Sequence, residues 1–189
     1  MVIERARIVK MAAPTEDIEA LLTSVISYGG QIAAVIHNHV LTCNPSAPDV
    51  FEGCVITLNG TTSTLMQILG IVGDHVEHGK NIFSKQGLEY AHLLAVECGN
   101  TLLNIETVFG IACLDREERK ALKKKQKASV IDLTKLCLDE EAFLKAIEKA
   151  GRTWERDGVR QSFSRLHLLQ LHLLLVCQVV TVGIVSKDV

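Results

Sequence analysis

At 189 residues the chain is long enough for one domain with a sizeable core, and its length alone does not require two. Apolar residues make up 48% of it and aromatic residues only 4%, so the core is expected to be built from Leu, Ile, Val and Ala. A net charge of -2 excludes the strongly basic balance of a general nucleic-acid or anionic-membrane binder.

The first fourteen residues read as an extension, possible disorder included, because MVIERARIVK alternates charge without a hydrophobic run and does not resemble a secretory signal. Residues 15–187 are expected to form a single helical-bundle domain. Thr15 can cap a first helix, with Glu16 and Asp17 in its first turn. Ile18, Leu21, Leu22, Val25, Ile32, Val35, Ile36 and Val40 give that helix its apolar face, which Gly29-Gly30 interrupts and is expected to kink. Asn44-Pro45-Ser46-Ala47-Pro48 is a loop.

A second helix is predicted from Asp49 to Glu77, with Phe51, Cys54, Leu58, Leu65, Ile68, Leu69, Val72 and Val76 inward. Its middle, Val55 to Thr64, is rich in weak helix formers, and a strand competes there. The apolar spacing continues through it and favours helix.

The third helix has the most regular pattern. Leu88, Ala91, Ala95, Cys98, Leu102, Ile105, Phe109 and Ala112 recur at 3-4-3-4 spacing, the seam of a helix packed nearly parallel to a partner in this chain or in another copy. Leu88, Ala95, Leu102, Ile105 and Phe109 are therefore the candidate interaction residues, and Leu102→Asp or Ile105→Asp is expected to weaken self-association. Residues 115–130 are charged. Arg116, Arg119, Lys120, Lys123, Lys124 and Lys127 form a basic surface without aromatic interleaving, which suits solvent or anionic lipid and gives no sign of specific nucleic-acid binding. A fourth helix is expected after Asp139, through Phe143, Leu144, Ile147, Ala150 and Trp154, with Asp157-Gly158 ending it and leading into the terminal helix.

The last stretch, Leu166 to Val185, has twenty residues and no charged side chain. That length can cross a bilayer or form a buried bundle helix. Arg160, Ser164, His167, Gln170, Gln178 and Thr181 make a narrow polar stripe, and Leu168, Leu169, Leu173, Leu175, Val176, Val179, Val180 and Val182 a wide apolar surface. Polar groups offset much of the gain of insertion, so a bundle helix among neighbours, at the centre or along one side, is favoured over a span.

Chemistry is sparse. The six cysteines stand singly among apolar residues and read as buried thiols in a reducing compartment, hence a cytoplasmic protein, with a membrane-associated one as the alternative. His37 and His39 point about 200° apart on a helix and cannot share a metal, and both read as exposed helix-end residues. His75 and His78 lack further ligands, and His172 reads as a buried core histidine. No nucleophile motif, phosphate loop or metalloprotease motif occurs, so no enzyme, cofactor or metal is expected.

Ser164–Val185, SRLHLLQLHLLLVCQVVTVGIV, resembles the Leu-rich helix that ends an all-α N-terminal domain in many filamentous-fungal proteins. The order of parts is also similar: a helix soon after Met11-Ala12-Ala13-Pro14, the SKQGLEYAHLLAVECGNTLLNIE helix, a Lys-rich linker and LDEEAFLKAIEKA. The family is that of the N-terminal domains carried by fungal NOD-like (STAND) signalling proteins. The resemblance implies a helical bundle for assembly or signalling, some members being related to death-inducing HeLo-type domains, and no catalytic residues. With no nucleotide-binding or repeat region in the sequence, it reads on that resemblance as a stand-alone adaptor, a decoy or a shortened form. The fold expected from all of this is an all-α, antiparallel bundle of about five helices. The expected function is a non-enzymatic interaction or oligomerisation module, with a module that binds or inserts into anionic lipid as the alternative.

Overall fold

The computed structural model describes residues 18–43, 49–77, 82–113, 131–150 and 157–185. Five α-helices pack against one another in a bundle: α1 (Ile18–Cys43), α2 (Asp49–Glu77), α3 (Lys85–Cys113), α4 (Glu140–Ala150) and α5 (Asp157–Val185). A 3-10 turn, Leu133–Lys135, precedes α4. Thr15, the basic residues Arg116 to Lys127 and Trp154 lie outside the described residues, as do the side chains of Phe51, His75, Val76, His78 and Ala112.

The weak helix formers of α2 stay helical for two reasons. Cys54, Leu58, Leu65, Ile68 and Val72 are buried on one face. Burying each of the larger ones contributes on the order of 2 kcal/mol, against roughly 0.5 kcal/mol lost per β-branched residue relative to Ala. The threonine hydroxyls also find acceptors inside the helix: Thr57 donates to the Gly53 carbonyl at 2.9 Å, Thr61 to Thr57 at 2.8 Å, Thr62 to Asn59 at 3.0 Å and Thr64 to Gly60 at 2.8 Å. Thr61, Thr62 and Thr64 can thus be buried without leaving a polar group unsatisfied.

α1 runs unbroken through Gly29-Gly30. Gly29 marks the tightest part of its contact with α2 and α3, where a Cβ would lie 2.8 Å from Thr62 Cγ2 and 3.3 Å from a Leu102 methyl. Gly30 faces open space. Beside them Tyr28, fully buried, donates its hydroxyl to the Glu106 carboxylate and ties α1 to α3.

One local feature departs from the pattern expected from sequence. Residues 131–139 form a strap across α1, which periodicity did not reveal. Leu133 is buried, the Leu136 N–H donates to Ser24 Oγ at 2.9 Å, and the Leu138 N–H donates to Gln31 Oε1 at 3.3 Å. Asp132 caps the turn by accepting from the Thr134 N–H and hydroxyl, and those bonds hold its carboxyl below the usual range. Asp139 caps α4 as expected, accepting from the Ala142 N–H at 3.0 Å. Asp157-Gly158 opens α5, as expected of the lead into the terminal helix, and the stretch between Ala150 and Asp157 lies outside the described residues.

Among the described residues α1 packs on α2, α3, α4 and the strap, whereas α5 packs mainly on α2 and α3. The last helix is therefore an edge element, not the centre.

Candidate functional site

The α3 seam resolves first. Ala95, Leu102, Ile105 and Phe109 are buried and Leu88 is partly buried, all within the core of this one chain. Leu102 lies against Gly29 of α1, and Phe109 meets the Phe143 ring of α4 edge-on, centroids 5.5 Å apart. The partner of this seam is intramolecular, so its side chains are not displayed to a second protein in the folded chain.

A different set of apolar residues is displayed. Leu168, Leu171, Leu175, Val179 and Val182 of α5 are 49% to 68% exposed. At 100° per residue they fall within about 80° of the helix circumference. The opposite side carries Leu166, Leu169, Leu173 and Cys177, which are buried. This corrects the expectation that Leu168, Leu175, Val179 and Val182 pack inward with the other aliphatic residues. Only Leu169 and Leu173 of that set are buried, with Val176 and Val180 partly so. His172, expected in the core, is exposed beside the same face. The sequence signal for two apolar faces was present: apolar residues occupy opposite sides of α5, more than one set of neighbours can cover.

Side-chain bonds fix how α5 presents that face. Asn104 Nδ2 of α3 donates to Ser162 Oγ at 2.8 Å, and Arg165 pairs with Glu97. The two pairs run in opposite senses, so α5 is antiparallel to α3. On the far flank Gln170 packs directly over Gly60 of α2, where any side chain would collide with it. Arg160, Ser164, His167, Gln178 and Thr181 are exposed along the helix. Leu93 and Tyr90, four and seven residues before Glu97 on the same α3 flank, are also exposed and extend the apolar surface alongside α5.

Among the described residues no group of three or more His, Cys, Asp or Glu side chains is placed to hold a metal. His37 is exposed and His39 half-buried on another face of α1. Cys54, Cys98 and Cys177 are buried, and desolvation pushes the Cys54 and Cys98 thiols up to about 12. The expectation of buried cysteines fails at Cys137, which is exposed on the strap. Cys43 and Cys113 lie at helix ends where side chains are not described.

Three helical stretches are long and apolar enough to cross a membrane by length and composition: Ile18–Thr42, Glu52–Asp74 and Val159–Val182. They differ in how far the bundle covers them. In the first, 50% of the apolar window is buried inside the protein, in the second 39%, and in the last only 22%. Comparison with family models, with curated proteins and with solved structures finds no match to this chain.

Proposed function

We propose that this chain is a non-enzymatic, cytoplasmic interaction module that docks a protein partner, a copy of itself or a related helical domain, through the outward face of α5. The observation that carries the reading is the contiguous exposed set Leu168, Leu171, Leu175, Val179 and Val182, turned directly away from the core. At their observed exposure these side chains present on the order of 500 Å² of apolar surface, at the size where patches on soluble proteins serve as binding sites. The stretch that carries the face also carries the resemblance to the closing helix of fungal NOD-like (STAND) N-terminal domains, which supports an assembly or signalling role.

A second reading has its own observation. The poor coverage of Val159–Val182 suits a module that lays this helix on or into anionic lipid, with Arg116 to Lys127 meeting head groups. Footprinting with a small diffusible reagent separates the two. The protein-docking reading expects Leu168–Val182 to become protected as protein concentration rises in lipid-free buffer. Protection that appears only on adding anionic vesicles, from a protein monomeric at every concentration, would replace it with the membrane reading.

A further inference from the structure

Resting on the reading that α5 docks protein, we infer that its occupant is a second copy of this chain, with the two α5 helices antiparallel across a two-fold axis at Leu175. The spacing of the exposed residues carries this. Leu168, Leu171, Leu175, Val179 and Val182 are separated by 3, 4, 4 and 3 residues, a series that reads the same in both directions. Inverting the helix about Leu175 places Leu168 on Val182, Leu171 on Val179 and Leu175 on itself. Each large side chain therefore meets an apolar counterpart, and the surface is complementary to its own copy, which an isologous two-fold contact requires.

From Leu166 to Val185 there is no charged side chain, so no like charges oppose the pairing.

Access and area agree. α2 and α3 both lie on the buried side of α5, so among the described residues the outward face is open to a second helix without displacing either. The five seam residues of two copies would remove roughly 1,000 Å² from water, the lower bound for a specific interface. Leu93 and Tyr90 of each copy, on the adjoining α3 flank, add to it. A crossing near 20° keeps two such seams in register over their length of about 21 Å.

Cross-linking tests the geometry. In a background with Cys43→Ser, Cys113→Ser and Cys137→Ser, single thiols are introduced on the face and treated with a short bismaleimide, with helicity checked by circular dichroism. Leu175→Cys is expected to cross-link to itself. Leu168→Cys and Val182→Cys should each fail alone, and should yield a covalent dimer when the two are mixed. Self-cross-linking of Leu168→Cys, or a dimer that does not cross-link at Leu175→Cys, would overturn the antiparallel assignment. Light scattering on the parent protein judges the underlying reading separately. A dimer with another cross-link pattern removes only this inference. A monomer protected on α5 solely by anionic vesicles removes both. Leu175→Asp, which sets two carboxylates on the axis, is expected to weaken the dimer by on the order of a hundredfold.

Discussion

α3 and α5 carry apolar seams of nearly the same spacing and opposite fates. On α3 the seam from Leu88 to Phe109 points into the chain and is closed by Gly29, Tyr28 and Phe143 on neighbouring elements. On α5 the seam from Leu168 to Val182 points out, because α2 and α3 already occupy the other side of that helix. Coiled-coil spacing thus reports that a helix wants a partner along one line, and says nothing of whether the partner is in the same chain. The difference lies in what else the helix carries. α3 has one apolar face and polar flanks that bond to α5, whereas α5 has two apolar faces and only one set of neighbours.

The sharpest way to break this comparison is to charge each seam. Leu102→Asp puts a carboxylate at a fully buried position between α1 and α3, and it is expected to cost about 5 kcal/mol or more, enough to unfold the domain. Leu175→Asp on the outward seam should change the unfolding free energy of the monomer, measured in urea, by less than about 0.5 kcal/mol. If the two destabilise equally, the outward seam is part of the core.

Alkali probes the inner region next. Cys54 and Cys98 bind a proton up to about pH 12 in the folded chain but only to about 9 when unfolded. Between those values the native state holds more protons, so stability is full below pH 9 and declines as pH rises toward 12. The same burial predicts that Cys137 reacts first with a thiol reagent at neutral pH, while Cys54 and Cys98 wait for unfolding. Rapid labelling of Cys98 in the folded protein would contradict the closed inner seam.

Smaller effects sharpen the packing. Gly29→Ala forces a methyl into Thr62 and Leu102 and is expected to destabilise by about 1–3 kcal/mol. Gly30→Ala, one residue on and facing open space, should stabilise by roughly 0.5–1 kcal/mol through helix propensity. Thermal unfolding of the two variants should therefore move in opposite directions. Asn104→Ala, which removes one hydrogen bond of the α3–α5 contact, is expected to cost about 1 kcal/mol and to leave the outward face unchanged.

Much of the fold was legible in the sequence because it rests on periodicity and caps. The bounds of α2, the cap at Asp139 and the buried face of α1 follow from apolar spacing and side-chain chemistry. The strap at residues 131–139 does not, since two buried leucines, Leu133 and Leu138, and two backbone bonds to Ser24 and Gln31 have no helical or strand period. Nor does Gly29, whose role depends on which helices meet there. The candidate surface was legible only in part. Sequence placed the candidate interaction residues on α3, whose seam is buried within the chain, and turned Leu168, Leu175, Val179, Val182 and His172 of α5 inward, because which side of a long uncharged helix is covered depends on its neighbours.

The most direct measurement is light scattering over a dilution series in lipid-free buffer, run on the parent protein and on Leu175→Asp. The account predicts a mass above monomer for the parent that falls on dilution, and a monomer for the variant, with the same helicity in both and the same unfolding midpoint once the parent is diluted to monomer. A parent that stays monomeric at every concentration, or a variant that associates as strongly as the parent, would contradict it.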